Sequence, residues 1–544
     1  MGIDLTNAAL ISLAALAVVA AFIVRRGRDR LHDIRGPDAK SFWLGNFEDI
    51  RYQDQVGDCE FPWMREYGGV WKIHGIMGSE NLVLADPKAL QYVLQTSGYR
   101  FPKRRDILAS VRMILGEGIV YVHGEQHNRH RKIMNPAFSA PQLKSFLSLF
   151  QNHGGRLVQK WKDEVVSADP SADPVFNVHR WLSRTTLDVI GETGFNFDFG
   201  ALNNHDNPLS KVYENLFIDS MLYPHRLDLV FRHLWRQLPA WLLWYLRYIP
   251  SREYTRFRQY QNFMRKFARE LLFKSEAVSG SKDVMSILIR ANGSESDVSK
   301  LREIEVLDQI STLVLAGHDT TASSLTWWLW ELAKNSDWQT RVRDELKQAR
   351  AKVEERGDDD FSIQDLDGMS LMHATLKGTM RLHPIVWTLG REAGQDDVIP
   401  LAFPIISKSG KQLSAIPVKK GQMIDIAIAP YNRNPEVWGE DADMWRPERF
   451  LEIDKSRQTS VGVYANLCVR SSYRIAAGLR GCIGWRFAII EMQAIAAKLV
   501  ENFEFALPPQ TEKTKIKRKP AGLMAPMADG YRGIWMGLRV KALA

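Results

Sequence analysis

The segment Gly478-Leu479-Arg480-Gly481-Cys482-Ile483-Gly484, followed at once by the apolar stretch Trp485 to Leu499, decides the reading of this chain. Three glycines around one cysteine permit a tight loop and close approach of backbone to a flat ligand. The apolar stretch has helical spacing, so Cys482 stands just ahead of a helix start. Unpaired N–H groups and the helix dipole favour a thiolate there. Arg480 adds a fixed cation able to clasp a carboxylate. On these residues alone the loop is a thiolate ligand or nucleophile beside an anion, or else a structural turn.

Helical patterning surrounds it. From about Glu303 to Lys334, Leu307, Ile310, Val314, Gly317, Thr321, Leu325, Trp328 and Leu332 recur at threes and fours along one helix face. A helix this long without coiled-coil heptads is expected to cross a large core. Leu401 to Ile406 and Met423 to Ile428 are short apolar runs bounded by Gly, Pro and Lys, which read as pieces of small sheets. The polar stretches Ser279 to Lys282, Asn292 to Ser299 and Arg356 to Asp360 are short enough to be loops within one domain. The expected fold is mainly α with small β-sheets. Lys513 to Lys519 alternates charge with Thr514 and Ile516 and reads as an exposed surface strand.

The 544 residues are 45% hydrophobic and 25% charged, the composition of a globular protein with a sizeable core. The 17 tryptophans favour a large, mostly helical interior. A net charge of +9 suits an anionic membrane surface or an acidic protein partner. Basic residues are scattered and no nucleic-acid-binding signature occurs, so no nucleic-acid partner is expected. The 3 cysteines, Cys59, Cys468 and Cys482, never form a Cys-x-x-Cys pair, which argues against a disulfide framework or structural zinc. Cys59 and Cys468 read as small apolar residues.

From Ala8 to Val24 every residue but Ser12 is apolar, and Arg25, Arg26, Arg28 and Arg30 follow. Extended back to Leu5, such a helix is roughly 30 Å long at about 1.5 Å per residue, enough to span a bilayer. Because the arginines follow the apolar run, a retained signal-anchor is expected over a cleaved signal, with the main body in the cytosol. Residues 1–30 therefore read as anchor and basic flank, and 31–544 as one domain.

The cysteine segment resembles the haem-binding loop of the cytochromes P450, Phe-x-x-Gly-x-Arg-x-Cys-x-Gly, at Gly478, Arg480, Cys482 and Gly484. Further resemblances follow in family order. Ala316-Gly317-His318-Asp319-Thr320-Thr321 resembles the oxygen-activation motif. Arg381 resembles the end of the Glu-x-x-Arg helix, and Pro447-Glu448-Arg449-Phe450 the segment packed on it. Arg131 is similar to the arginine of the Trp-x-x-x-Arg helix, with His127 in place of the Trp. Arg391 stands about where relatives place another propionate partner. The resemblance covers nearly the whole chain after the anchor and looks most like the fungal, membrane-bound members.

The resemblance implies a haem-thiolate monooxygenase that inserts one atom of O₂ into an apolar substrate. NADPH-cytochrome P450 reductase would supply electrons, with cytochrome b5 as a second donor, at the endoplasmic reticulum membrane. It implies haem b with Cys482 as axial ligand and Arg131, Arg391, Arg480 and His127 as propionate partners. Asp319 and Thr320 would deliver protons, and Thr320 is expected to bond back to the carbonyl of Ala316 and open a polar notch. Gly317 would leave space where oxygen binds. Ile385, Val386, Trp387 and Leu523 are expected to line an apolar pocket.

Two departures matter. Gly378 stands where the family has the Glu of Glu-x-x-Arg, which leaves Arg381 and Arg449 uncompensated unless Glu448, Glu392 or a bound anion substitutes. The run Cys468 to Ile475 is longer and more polar than the family pattern, with Ile475 where the family has Phe, and reads as a true insertion or, preferably, a misjoined splice boundary. These departures motivate the alternative of a non-catalytic or haem-poor relative. A reductase-independent isomerase or dehydratase is the lesser alternative, disfavoured by the presence of Asp319 and Thr320.

Overall fold

Apolar side chains at threes and fours carry the central helix over Glu303–Lys334, the span the periodicity predicts. Its first turn holds Glu303 and Glu305, and the Glu305 carboxylate accepts the Arg302 backbone N–H at 2.8 Å. Val306, Leu307, Ile310, Val314, Leu325, Trp328 and Leu332 are buried along it. The computed structural model describes residues 31–167, 174–203, 209, 216–249, 251–275, 282–296, 299–452, 478–509 and 515–543. The expected anchor over 1–30 and the irregular run 468–475 lie outside them. Among the described residues no helix is long and apolar enough to cross a membrane.

The central helix lies against Val178–Phe195 and also touches Arg252–Ser275 and the helix behind the cysteine loop, Trp485–Asn502. These helices and Ala140–Ser167 supply much of the larger hydrophobic core. Phe487, from the cysteine helix, packs edge-on against Phe150 with ring centroids 4.9 Å apart. The loop bearing Cys482 is therefore fixed from behind by a buried helix.

A second core lies about a four-stranded sheet, in the order Val70–His74, Glu80–Leu84, Met423–Ala427, Thr388–Glu392. Glu80–Leu84 and Met423–Ala427 run parallel, and the outer pairs are antiparallel. Register places Gly390 opposite Asp425 and Arg391 opposite Ile424, so this sheet fixes where Arg391 stands. The two predicted strand runs are present as Asp397–Ile406 and Met423–Ala427, the second ending one residue early where Ile428 opens a short helix. The fold is mainly α with small sheets.

The basic run near the carboxyl end, whose Lys513 and Thr514 lie outside the described residues, keeps Lys515 exposed but departs from its surface reading at Lys519. Lys517–Ala521 pairs with Leu523–Met527, and Lys519 is buried, its ammonium bonded to Asp54 at 2.6 Å and to the Tyr223 hydroxyl at 2.9 Å. A charged side chain tolerates that burial because two acceptors, one of them a carboxylate, engage its ammonium.

Candidate active site

The central helix is buried nearly throughout, yet in its middle Ala316 is exposed and Leu315, Gly317 and Thr320 are half-buried. Thr320 Oγ1 donates to the Ala316 carbonyl at 2.9 Å, and Ser324 Oγ donates to the Thr320 carbonyl at 2.8 Å. Such back-bonds compete with the helix ladder and leave a polar notch. The space is not made by Gly317. A Cβ there would lie 2.8 Å from Ile190 Cδ1, so the missing side chain admits Ile190 of the crossing helix, and Ala316 with Thr320 faces the opening.

Asp319 is buried, one residue around the helix from the half-buried Thr320, and its charge acts on His179 and Tyr260. His179 Nε2 lies 3.3 Å from Ser323 Oγ, and burial pulls its imidazole down to about 4. A carboxylate, a neutral imidazole and a phenol thus stand behind the notch.

Cys482 is exposed, although Gly484 opens the helix two residues on. Surrounding protein nonetheless pushes the thiol upward, while the Gly484 backbone and the Arg131 charge draw it down. Enclosure by the protein thus opposes the pull of the helix start on the free thiol. A bound metal cation would shift that balance toward the thiolate. Behind the loop, Glu491 is fully buried in the cysteine helix. Burial holds its carboxyl well above the usual range, with the Thr321 hydroxyl opposing.

Cations gather around the loop. Arg131 donates to the Gly481 carbonyl, and Arg480 donates to His123 Nδ1 while its guanidinium lies 5.1 Å from the Tyr99 ring centre. The Arg480 and Arg391 charges both act on Lys103, whose burial pulls its ammonium down to about 7. Burial, Arg480, Arg131 and Lys103 hold His127 down at about 3. Tyr99 OH donates to Asn128 Oδ1 at 2.6 Å, so the 2.8 Å contact with His127 Nδ1 uses the imidazole N–H. His127 Nδ1 is thus engaged by Tyr99. Lys103 and Tyr99 were missed in the sequence; the basic run Arg100 to Arg105 marks charge without marking burial.

Gly378 is explained locally. Arg381, fully buried, donates to the carbonyls of Asn432 at 2.7 Å, Ala442 at 2.5 Å and Met444 at 2.6 Å. Arg449 pairs with Asp441 at 2.6 Å. Neither Glu448 nor Glu392 takes the missing position: Glu448 lies 3.9 Å from Arg341, Glu392 stands opposite Met423 in the sheet with its charge acting on Arg104, and a Cβ on Gly378 would meet Trp445 Nε1 at 3.3 Å. The substitutes are carbonyls and Asp441. Burial together with repulsion from Arg449 and Arg433 still pulls the Arg381 guanidinium down to about 9.

A cavity of about 470 Å³ is lined by Leu315, which adjoins Ala316 in the central helix, and by Trp387, Leu523 and Val120. Of the four apolar candidates, Trp387 and Leu523 line it; Ile385 is buried in the larger core, and Val386 packs on the second core.

An accessible thiol ahead of a buried helix, a back-bonded notch in the long central helix, and cations gathered around the loop together fit a haem-thiolate protein. A family model for cytochrome P450 matches residues 35–531. A cytochrome P450 monooxygenase of Postia placenta is 32% identical, with 98% of each chain covered. Another, of Ampulloclitocybe clavipes, is 30% identical over 98% of this chain and 97% of its own. The ganoderic acid synthetase of Ganoderma lucidum is 29% identical, again covering 98% of each. The chain belongs to the cytochrome P450 family and is an enzyme of its monooxygenase class.

The family's cofactor is haem, and the donor set fits it. Arg480 Nη1 is buried with no hydrogen-bond partner among the described residues. The charges acting on Lys103 are those of Arg391 and Arg480, and those acting on His127 are led by Arg480, Arg131 and Lys103. A dianionic guest carrying a metal cation meets both needs, together with that of the desolvated thiol.

Proposed function

We propose that this enzyme is a membrane-anchored haem-thiolate monooxygenase that inserts one oxygen atom from O₂ into an apolar organic substrate. Electrons come from NADPH through a flavoprotein reductase, with the catalytic body facing the cytosol at the endoplasmic reticulum. Cys482 would supply the thiolate that holds the haem, and Arg131, Arg391 and Arg480, joined by Lys103, would hold its propionates. When bound, the haem supplies the redox chemistry that activates O₂, favoured by the electron-rich thiolate. Thr320, already bonded to the Ala316 carbonyl, holds its hydroxyl at the notch, and with Asp319 behind it would relay protons into the notch. The apolar walls formed by Trp387 and Leu523 orient substrate and exclude water from the notch.

The observation that carries this reading is the exposed Cys482 thiol beside Arg480, whose buried Nη1 has no hydrogen-bond partner among the described residues. The carbon monoxide difference spectrum of the reduced, membrane-expressed protein tests it. The red-shifted thiolate band is expected, and Cys482→Ser should abolish it. A blue-shifted band or none in the parent protein would leave the haem-poor relative as the better description.

A further inference from the structure

The cavity at Leu315 has a charged portion with an unusual balance. Arg51, Arg104, Asp106 and Arg232 line it and also line a smaller adjoining cavity of about 70 Å³, whereas Leu315 and Trp387 line only the larger one. The charges therefore stand where the two cavities meet, apart from the notch.

Their pairing is uneven. Arg104 is held by Asp106 at 2.6 Å and by Asp425 at 3.2 Å. Arg232 is held by Asp228 at 2.6 Å and by Glu253. Glu60 is bonded to Cys59 and Gln53, and burial raises its carboxyl toward the neutral form. Arg51 makes no hydrogen bond or ion pair with any described residue, and its Nε is buried without a partner. Arg104 and Arg232 repel it, while Asp425 and Asp106 attract it but already serve Arg104. A guanidinium does not shed its proton to escape this cost; an anion of complementary shape removes it.

We propose that Arg51 anchors the carboxylate of the substrate, so that the cavity takes amphipathic carboxylic acids whose hydrocarbon body lies against Trp387, Leu523 and Leu315. The inference rests on the reading of this cavity as the substrate chamber and narrows "apolar substrate" to an apolar acid. A volume of about 470 Å³ is in the usual range for small-molecule sites.

Calorimetric titration of the full-length, haem-loaded protein in detergent with dodecanoate and, separately, dodecan-1-ol tests the assignment without reductase, NADPH or turnover. The parent protein should bind the acid at least about tenfold more tightly, the scale of one charge-assisted hydrogen bond. Arg51→Gln should erase that preference while leaving dodecanol affinity unchanged, and Arg51→Lys should keep part of it. Unchanged dodecanol binding certifies that the variant cavity is folded. Equal affinities in the parent, binding of neither probe, or an acid preference that survives Arg51→Gln would each overturn the proposal. A carbon monoxide spectrum on the same samples reads the haem-thiolate function independently, so failure of one is not mistaken for failure of the other.

Discussion

Gly317 and Ile190 interlock: the glycine's absent side chain is the space in which the Ile190 δ-methyl sits, 2.8 Å from where a Cβ would be. The glycine thus sets how closely the central helix and Val178–Phe195 cross, and through that crossing it fixes the notch one residue away. Gly317→Ala should destabilise by about 1–3 kcal/mol despite alanine's better helix propensity, because the clash is with a buried core side chain. Adding Ile190→Ala should recover most of that loss, and urea unfolding of the four-member cycle measures the coupling. Additive losses would show that the two residues do not interlock.

Gly378→Glu should raise stability by about 1–3 kcal/mol, since Arg381 and Arg449 each keep a buried Nε without a partner among the described residues. Gly378→Gln, which brings the same bulk without charge, should gain less. Trp445 must yield by a few tenths of an ångström in both, so comparing their thermal midpoints separates charge from packing. A glutamate variant no better than the glutamine one would mean that the carbonyls already suffice.

Glu491 gives a pH signature. Its carboxyl is raised by burial, so the unfolded chain loses this proton above about 4.5 while the folded chain keeps it. Folded protein therefore binds the extra proton, and this group's contribution to stability falls as pH rises from 4.5 toward the folded value. Glu491→Gln removes the loss: it should be more stable than the parent at pH 8 and indistinguishable from it near pH 4. Midpoints measured across that range check the sign.

Thr320→Ala removes the hydroxyl at the notch and should lower product formation about 10²-fold, with Thr320→Ser retaining most activity. NADPH consumption should fall less than product, because electrons still arrive where protons no longer follow the same route. Equal losses of both would point to damage in haem binding instead.

Local patterns carried much of this fold into view. The central helix has its predicted ends because its apolar spacing and its polar flanks agree. Thr320 bonds to Ala316 because that bond needs only four residues of helix. What was hidden comes from groups far apart in the chain. Lys103 joins Arg391 and Arg480 only after a loop, a sheet strand and the cysteine loop converge, and nothing in its neighbours marks it as buried. The balance at Cys482 also depends on enclosure, which opposes the helix start that the motif displays. Ile190 gives Gly317 a purpose that its place in the motif did not reveal.

The three carbonyls that hold Arg381 have a consequence for how this enzyme tolerates change. A carboxylate partner depends on one codon, whereas a main-chain oxygen is supplied by whatever residue occupies the position. Asn432, Ala442 and Met444 are thus free to vary in side chain without loosening Arg381, provided the chain keeps its path. Support of this kind is inherited with the fold, and it opens position 378 to drift where an ion pair would have closed it.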